Sequence, residues 1–179
     1  SVSAFLLNRS SDLRLGCKLS KGQLDARGNR IDGWGVNEKR GNKPYYPPLG
    51  WKGIGLRVVD KYDNGNNKWI GMDNSKDEWC VAYLKFGKKL KLRKSQSHKD
   101  CPDKEHPRRK VGEGVCCTPF VNKASFDSEE SKINGKNYKA VLMVRIKPDA
   151  IRSCKDEEDY WVNGTTDEIR PYRILYKEI

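Results

Sequence analysis

The stretch Tyr138-Lys139-Ala140-Val141-Leu142-Met143-Val144-Arg145-Ile146 decides how the chain is read. Its unbroken apolar centre, Val141 to Val144, is the length of a strand and predicts one buried in a sheet. The same texture recurs on both sides. Glu78-Trp79-Cys80-Val81-Ala82-Tyr83-Leu84 is a second buried-strand candidate, bounded by Asp73-Asn74-Ser75 and Gly87. From Glu168 to Tyr176, Ile169, Tyr172, Ile174 and Tyr176 are interleaved with Arg170 and Arg173, as in a final strand. Gly50 to Val59 sets glycines against Trp51, Ile54 and Leu56, which suits a strand approached closely by another backbone, or a bulge. Val111 to Pro119 is a glycine-punctuated strand pattern, and Asp159-Tyr160-Trp161-Val162 runs into the turn signal Asn163-Gly164. Asp63-Asn64-Gly65-Asn66-Asn67 is a strong turn cluster. Helical signal is weak, with Lys147 to Arg152 the best short candidate, so the expectation is a strand-rich α+β domain.

Composition bounds the function. The 179 residues suffice for one domain with a real core, and four Phe, five Trp and eight Tyr argue against disorder. The net charge of +12 favours encounter with polyanions without naming one. No apolar run approaches the ~20 residues of a membrane span. The apolar cluster Ala4-Phe5-Leu6-Leu7 lacks a charged region before it and a cleavage site after it, so no signal peptide is expected, although a leader already removed stays open. The six cysteines, at 17, 80, 101, 116, 117 and 154, form no disulfide framework, and Cys80 reads as core. An intracellular protein, cytoplasmic or nuclear, is expected.

Residues 1–43, rich in Gly, Asn, Lys and Arg, read as an extended N-terminal arm packed on a domain spanning 44–179. Tyr45-Tyr46-Pro47-Pro48 is a stiff, extended entry to that domain. Lys88 to Lys110 is the most cationic part of the chain; Pro102 and Pro107 argue for a loop insertion there rather than a helix. Lys88, Lys89, Lys91, Arg93, Arg108 and Arg109 are its candidate anion-binding residues, and a solubilising loop is the plain alternative. No aromatic residue falls between Phe86 and Phe120, so the loop contains no base-stacking platform.

Three short motifs in order then carry a resemblance: Trp79-Cys80-Val81-Ala82-Tyr83-Leu84, Gly112-Glu113-Gly114-Val115-Cys116 and Asp159-Tyr160-Trp161-Val162. Their order, with the ending Arg170-Pro171-Tyr172-Arg173-Ile174-Leu175, resembles the poly-ADP-ribose-polymerase-like branch of the ADP-ribosyltransferases. Over roughly residues 18–179 the chain also looks like an uncharacterised eukaryotic family that shares Tyr45-Tyr46-Pro47-Pro48, Gly50-Trp51 and Asn163-Gly164-Thr165-Thr166-Asp167-Glu168-Ile169-Arg170-Pro171-Tyr172-Arg173. The resemblance implies a split-sheet, ADP-ribosyltransferase-like domain with the basic loop inserted. It also implies a site that holds the nicotinamide riboside of NAD, with a His on the first strand, a Tyr on the second and an acid on the third. The acid would steady the cationic charge that develops as the glycosidic bond breaks.

This chain departs from that pattern. Leu84-Lys85 stands where His-Gly is expected, and Cys116 stands for the Tyr. Leu84 makes no hydrogen bond and Cys116 offers no ring. Asp159 is the nearest acid, with Glu158 or Trp161 taking the position in another register. The resemblance with two of three groups missing implies a catalytically degenerate domain, a pseudoenzyme without a cofactor. It would act as a binding or structural module for an acidic protein surface or a nucleic acid, or as part of a larger assembly. The alternative is an active NAD-dependent mono-ADP-ribosyltransferase using Asp159 or Glu158. Separately, His98, Cys101 and His106 with Cys116 lie near zinc-ligand spacing, without matching a standard finger; solvated loop histidines are the bland reading.

Overall fold

The computed structural model describes residues 21–28, 38–86, 115–126, 128–152, 158–163 and 165–179. The predicted strands near Val141 and Ile174 form the centre of the sheet. β8 (Lys136–Ile146) lies between β10 (Ile169–Glu178) and β5 (Cys80–Lys85), and β10 continues to β4 (Lys52–Leu56) and then to the short β1 (Leu24–Asp25). β7 (Glu130–Ile133) folds back on the start of β8 through a tight turn at Asn134 and Gly135, both with positive φ. Every pairing in this sheet is antiparallel. A two-stranded ribbon, β6 (Val115–Cys117) with β9 (Tyr160–Val162), and a small hairpin, β2 (Lys39–Arg40) with β3 (Lys43–Pro44), complete the strands.

The chain is therefore a strand-rich α+β domain among its described residues. Its one described α-helix, α1 (Val121–Phe126), was not anticipated, whereas the expected helix near Lys147 to Arg152 is a single 3-10 turn, Pro148–Ala150. Both differences have local causes. Pro148 starts a turn, but the few residues between the end of β8 and the Arg152–Trp161 bridge leave no room to propagate it. α1 buries Val121 and Ala124, an i, i+3 pair too short to register as periodicity in sequence. The strands β1 and β2 and the first residue of β3 belong to the region read as an N-terminal arm, and β1 joins the main sheet by pairing with β4.

β8 is apolar without alternation because both its faces are covered. On one face Val141 and Met143 pack with Trp51, Trp69, Trp79, Tyr172 and α1. On the other, Leu142, Val144 and Ile146 pack beneath the ribbon residues Val115, Cys117, Tyr160 and Val162. Each such aliphatic side chain contributes about 1.5–3 kcal/mol by leaving water.

The first face also holds three buried arginines. Pro171 has no N–H to give the ladder, and the pairing of β10 with β8 slips between Pro171 and Arg173. The bulge lets Tyr172 and Arg173 both join the face that carries Arg170, where the pure alternation of a strand would separate them. Arg145, opposite Arg170, donates to Glu78 Oε1 at 3.1 Å and to the carbonyls of Trp79 (2.6 Å), Ile70 (3.2 Å) and Gly71 (2.7 Å), with its guanidinium 5.3 Å from the Tyr172 ring centre. Glu78 is fully buried and also accepts from the backbone N–H of Asn74. These bonds hold the polar connection between β4 and β5 against the sheet. The glycines of β4 serve the same packing: a Cβ at Gly53 would overlap the Arg173 guanidinium, and Gly55 lies backbone to backbone with Gly28.

Candidate functional site

The three segments singled out in sequence are neighbours. Tyr83 of β5 exchanges backbone hydrogen bonds with Thr118, just beyond β6, at 2.7 and 3.0 Å. β6 in turn pairs with β9, Cys116 opposite Trp161 and Cys117 opposite Tyr160. Among the described residues, one isolated bridge, Tyr83–Thr118, joins β5 to the end of the ribbon.

Strand alternation then sorts the side chains. Cys116 and Asp159 lie diagonally on one face of the ribbon, and the Cys116 thiol donates to Asp159 Oδ2 at 3.9 Å. Asp159, with a side chain 6% exposed, pairs through Oδ1 with Lys123 Nζ of α1 at 2.8 Å. Leu84 is not part of this group. It pairs with Leu142 and packs with the layer that holds Val115 and Cys117, whose side chains leave the ribbon on the opposite face from Cys116. Glu158 is exposed.

Burial governs the neighbouring thiols. It pushes Cys80 up to about 11, and it holds Cys117 well above the ordinary thiol range, with Cys116 and Asp159 adding to the effect. Burial likewise pushes the Tyr160 phenol up to about 12.

This donor set does not fit a nicotinamide riboside. Both oxygens of Asp159 are engaged, one by an ammonium that already neutralises the charge a cationic transition state would need. Leu84 supplies no hydrogen bond, and its side chain belongs to another layer.

Sequence reasoning missed an aromatic pair beside this cluster. Tyr46 and Phe120 have ring centres 4.8 Å apart and planes tilted by 38°. The hydroxyl of Tyr83 donates to the Tyr46 carbonyl at 2.6 Å, and Phe120 N–H donates to Thr118 Oγ1 at 3.3 Å, so each ring is carried on a fixed backbone. Tyr46 was visible only as part of a stiff entry segment, and its partner is far away in the chain.

No protein-family model matches this chain, and no curated protein or solved structure matches it. The site must be argued from its own residues. The proposed anion-binding residues Lys88, Lys89, Lys91, Arg93, Arg108 and Arg109 lie outside the described residues, as do His98, Cys101 and His106 of the suggested zinc set. Among the described residues no group of three or more His, Cys, Asp or Glu could hold a metal ion, and no helix is long and apolar enough to cross a membrane.

Proposed function

We propose that the chain is a non-catalytic binding domain, an ADP-ribosyltransferase-like scaffold with a degenerate site, whose partner is anionic. The observation that carries this reading is the Lys123–Asp159 ion pair at 2.8 Å, which occupies the acid nearest to the expected position. The adjacency of β5, β6 and β9, which Asp159 immediately precedes, supports the kinship, since that family brings three such strands around one cleft. The lack of a His at Leu84 and of a ring at Cys116 supports the loss of chemistry. The net charge of +12 supports an anionic partner.

Incubation with NAD labelled on the adenylate and on the nicotinamide tests the first half. Neither transfer to protein nor nicotinamide release is expected, and either one above the buffer rate overturns it. Titration with heparin at about 50 and about 200 mM salt tests the second half: binding is expected to weaken steeply with salt, and no binding at either salt overturns it.

A further inference from the structure

We propose that Tyr46 and Phe120 form a stacking surface for the unpaired bases of a single-stranded nucleic acid. This rests on the anionic-partner reading above and names the partner's class. Tyr46 is 45% exposed, and its ring leans on the half-buried Phe120 with centres 4.8 Å apart. An exposed pair of rings presents the flat apolar face that a base stacks on. The platform is rigid before any partner arrives. Tyr46 is held by the Tyr83 hydroxyl and followed by Pro47 and Pro48, while the Phe120 carbonyl accepts from Ala124 N at 3.2 Å in the first turn of α1. Little side-chain or backbone freedom remains to be lost on binding.

Lys123 is three residues from Phe120, which precedes α1, and three from Phe126, which ends it. Lys123, with a side chain 52% exposed, is held in its ion pair with Asp159, and Phe126 is 84% exposed at the end of α1. A duplex hides its base faces in its own stack, so the rings favour an unpaired strand over a duplex, and polyglutamate, which carries charge without rings, separates stacking from charge alone.

Fluorescence anisotropy with the full chain and a labelled mixed-sequence single-stranded oligonucleotide tests this, with the matching duplex, polyglutamate and heparin as comparators. Tyr46→Ala is expected to weaken single-strand binding roughly 5- to 100-fold and Tyr46→Phe to preserve it, with heparin binding unchanged. Phe120→Leu keeps the half-buried volume filled and is expected to weaken it in the same direction; circular dichroism and melting verify the fold of each variant. Unchanged single-strand affinity in folded Tyr46→Ala overturns the proposal, as does tighter binding of duplex or polyglutamate. In those cases retained heparin binding leaves the anionic-partner reading standing, whereas failure of the wild-type chain to bind any of these polyanions removes both.

Discussion

Arg170 grips Asp63 with two hydrogen bonds, at 2.6 and 2.8 Å, while its guanidinium lies within 4.2 Å of the Trp79 ring centre, 4.5 Å of Tyr62 and 5.0 Å of Trp69. A third bond, from Nε to the Thr166 carbonyl at 2.7 Å, completes the fork. Asp63 has a positive φ of 52°, a conformation uncommon for a residue with a side chain, and the arginine keeps it there. Because Asp63 is 45% exposed, solvent screens the pair, and Asp63→Asn is expected to lower stability by only about 1 kcal/mol at neutral pH. The hydrogen bonds from Arg170 hold the Asp63 carboxyl below the usual carboxylate range. A carboxyl depressed by folding adds stability above its unfolded pKa of about 4 and loses it as pH falls through the lower folded value. Urea unfolding of wild type and Asp63→Asn across that window should show the gap closing on acidification. A gap that widens contradicts the assignment.

Gly53→Ala reverses the usual sign of its substitution class. Replacing a strand glycine by alanine normally stabilises by restricting the unfolded chain. Here the new methyl would overlap the buried Arg173 guanidinium, whose Nη1 lies 3.7 Å from Met143 Sδ. A loss of about 1–3 kcal/mol is expected, read as a lower urea midpoint with an unchanged slope. In a double-mutant cycle with Arg173→Leu the penalty for Gly53→Ala should shrink, since the obstructing group is gone. Additive penalties would mean the clash is not the cause.

How much of this was legible in sequence follows the range of the interactions. β5 and β8 announced themselves because dense apolar runs report burial on two faces, and β10 because Ile169, Tyr172, Ile174 and Tyr176 are interleaved with arginines, each a property local to its strand. The alternation of glycines at 53 and 55 signalled close approach, and the structure supplies the approaching groups, Arg173 and Gly28. The arginine layer was invisible: Arg145 and Arg170 read as ordinary strand charges, because their partners at Glu78 and Asp63 are distant in the chain and the Pro171 bulge changes which residues share a face. The Asp159 site was half legible. Its acid and its thiol were named, but Lys123 sits on a six-residue helix with no periodic signal.

The Lys123–Asp159 pair should be asymmetric under mutation. Asp159 is the buried partner and Lys123 the exposed one. Lys123→Met leaves a carboxylate in a poorly solvated place with its thiol contact alone among the bonds described above, and about 1–2 kcal/mol should be lost. Asp159→Asn keeps a hydrogen-bond acceptor and releases a lysine that water can solvate, so its penalty should be smaller. Neither variant should release nicotinamide from NAD, because freeing one acid restores neither the missing His nor the missing ring. Equal penalties in urea unfolding would argue that Asp159 is better solvated than its burial indicates.

The described cysteines should divide sharply in reactivity. Thiolate, the reactive form, is scarce at neutral pH when burial raises a thiol's pKa. Cys80, fully buried and pushed up to about 11, and Cys117, buried and raised further by its neighbours Cys116 and Asp159, have both little thiolate and little access. Cys116 differs in access: its side chain is half-buried, on the ribbon face that Lys123 and Asp159 share. Brief treatment with iodoacetamide at neutral pH, followed by fragmentation mass spectrometry to separate the adjacent pair, should find Cys116 labelled about tenfold or more ahead of Cys80 and Cys117. Denaturant should abolish the difference, because the protection of the other two comes from packing. Labelling of Cys117 at the rate of Cys116 in the folded protein would mean that the ribbon does not cover the sheet as described, and would displace the Asp159 cluster with it.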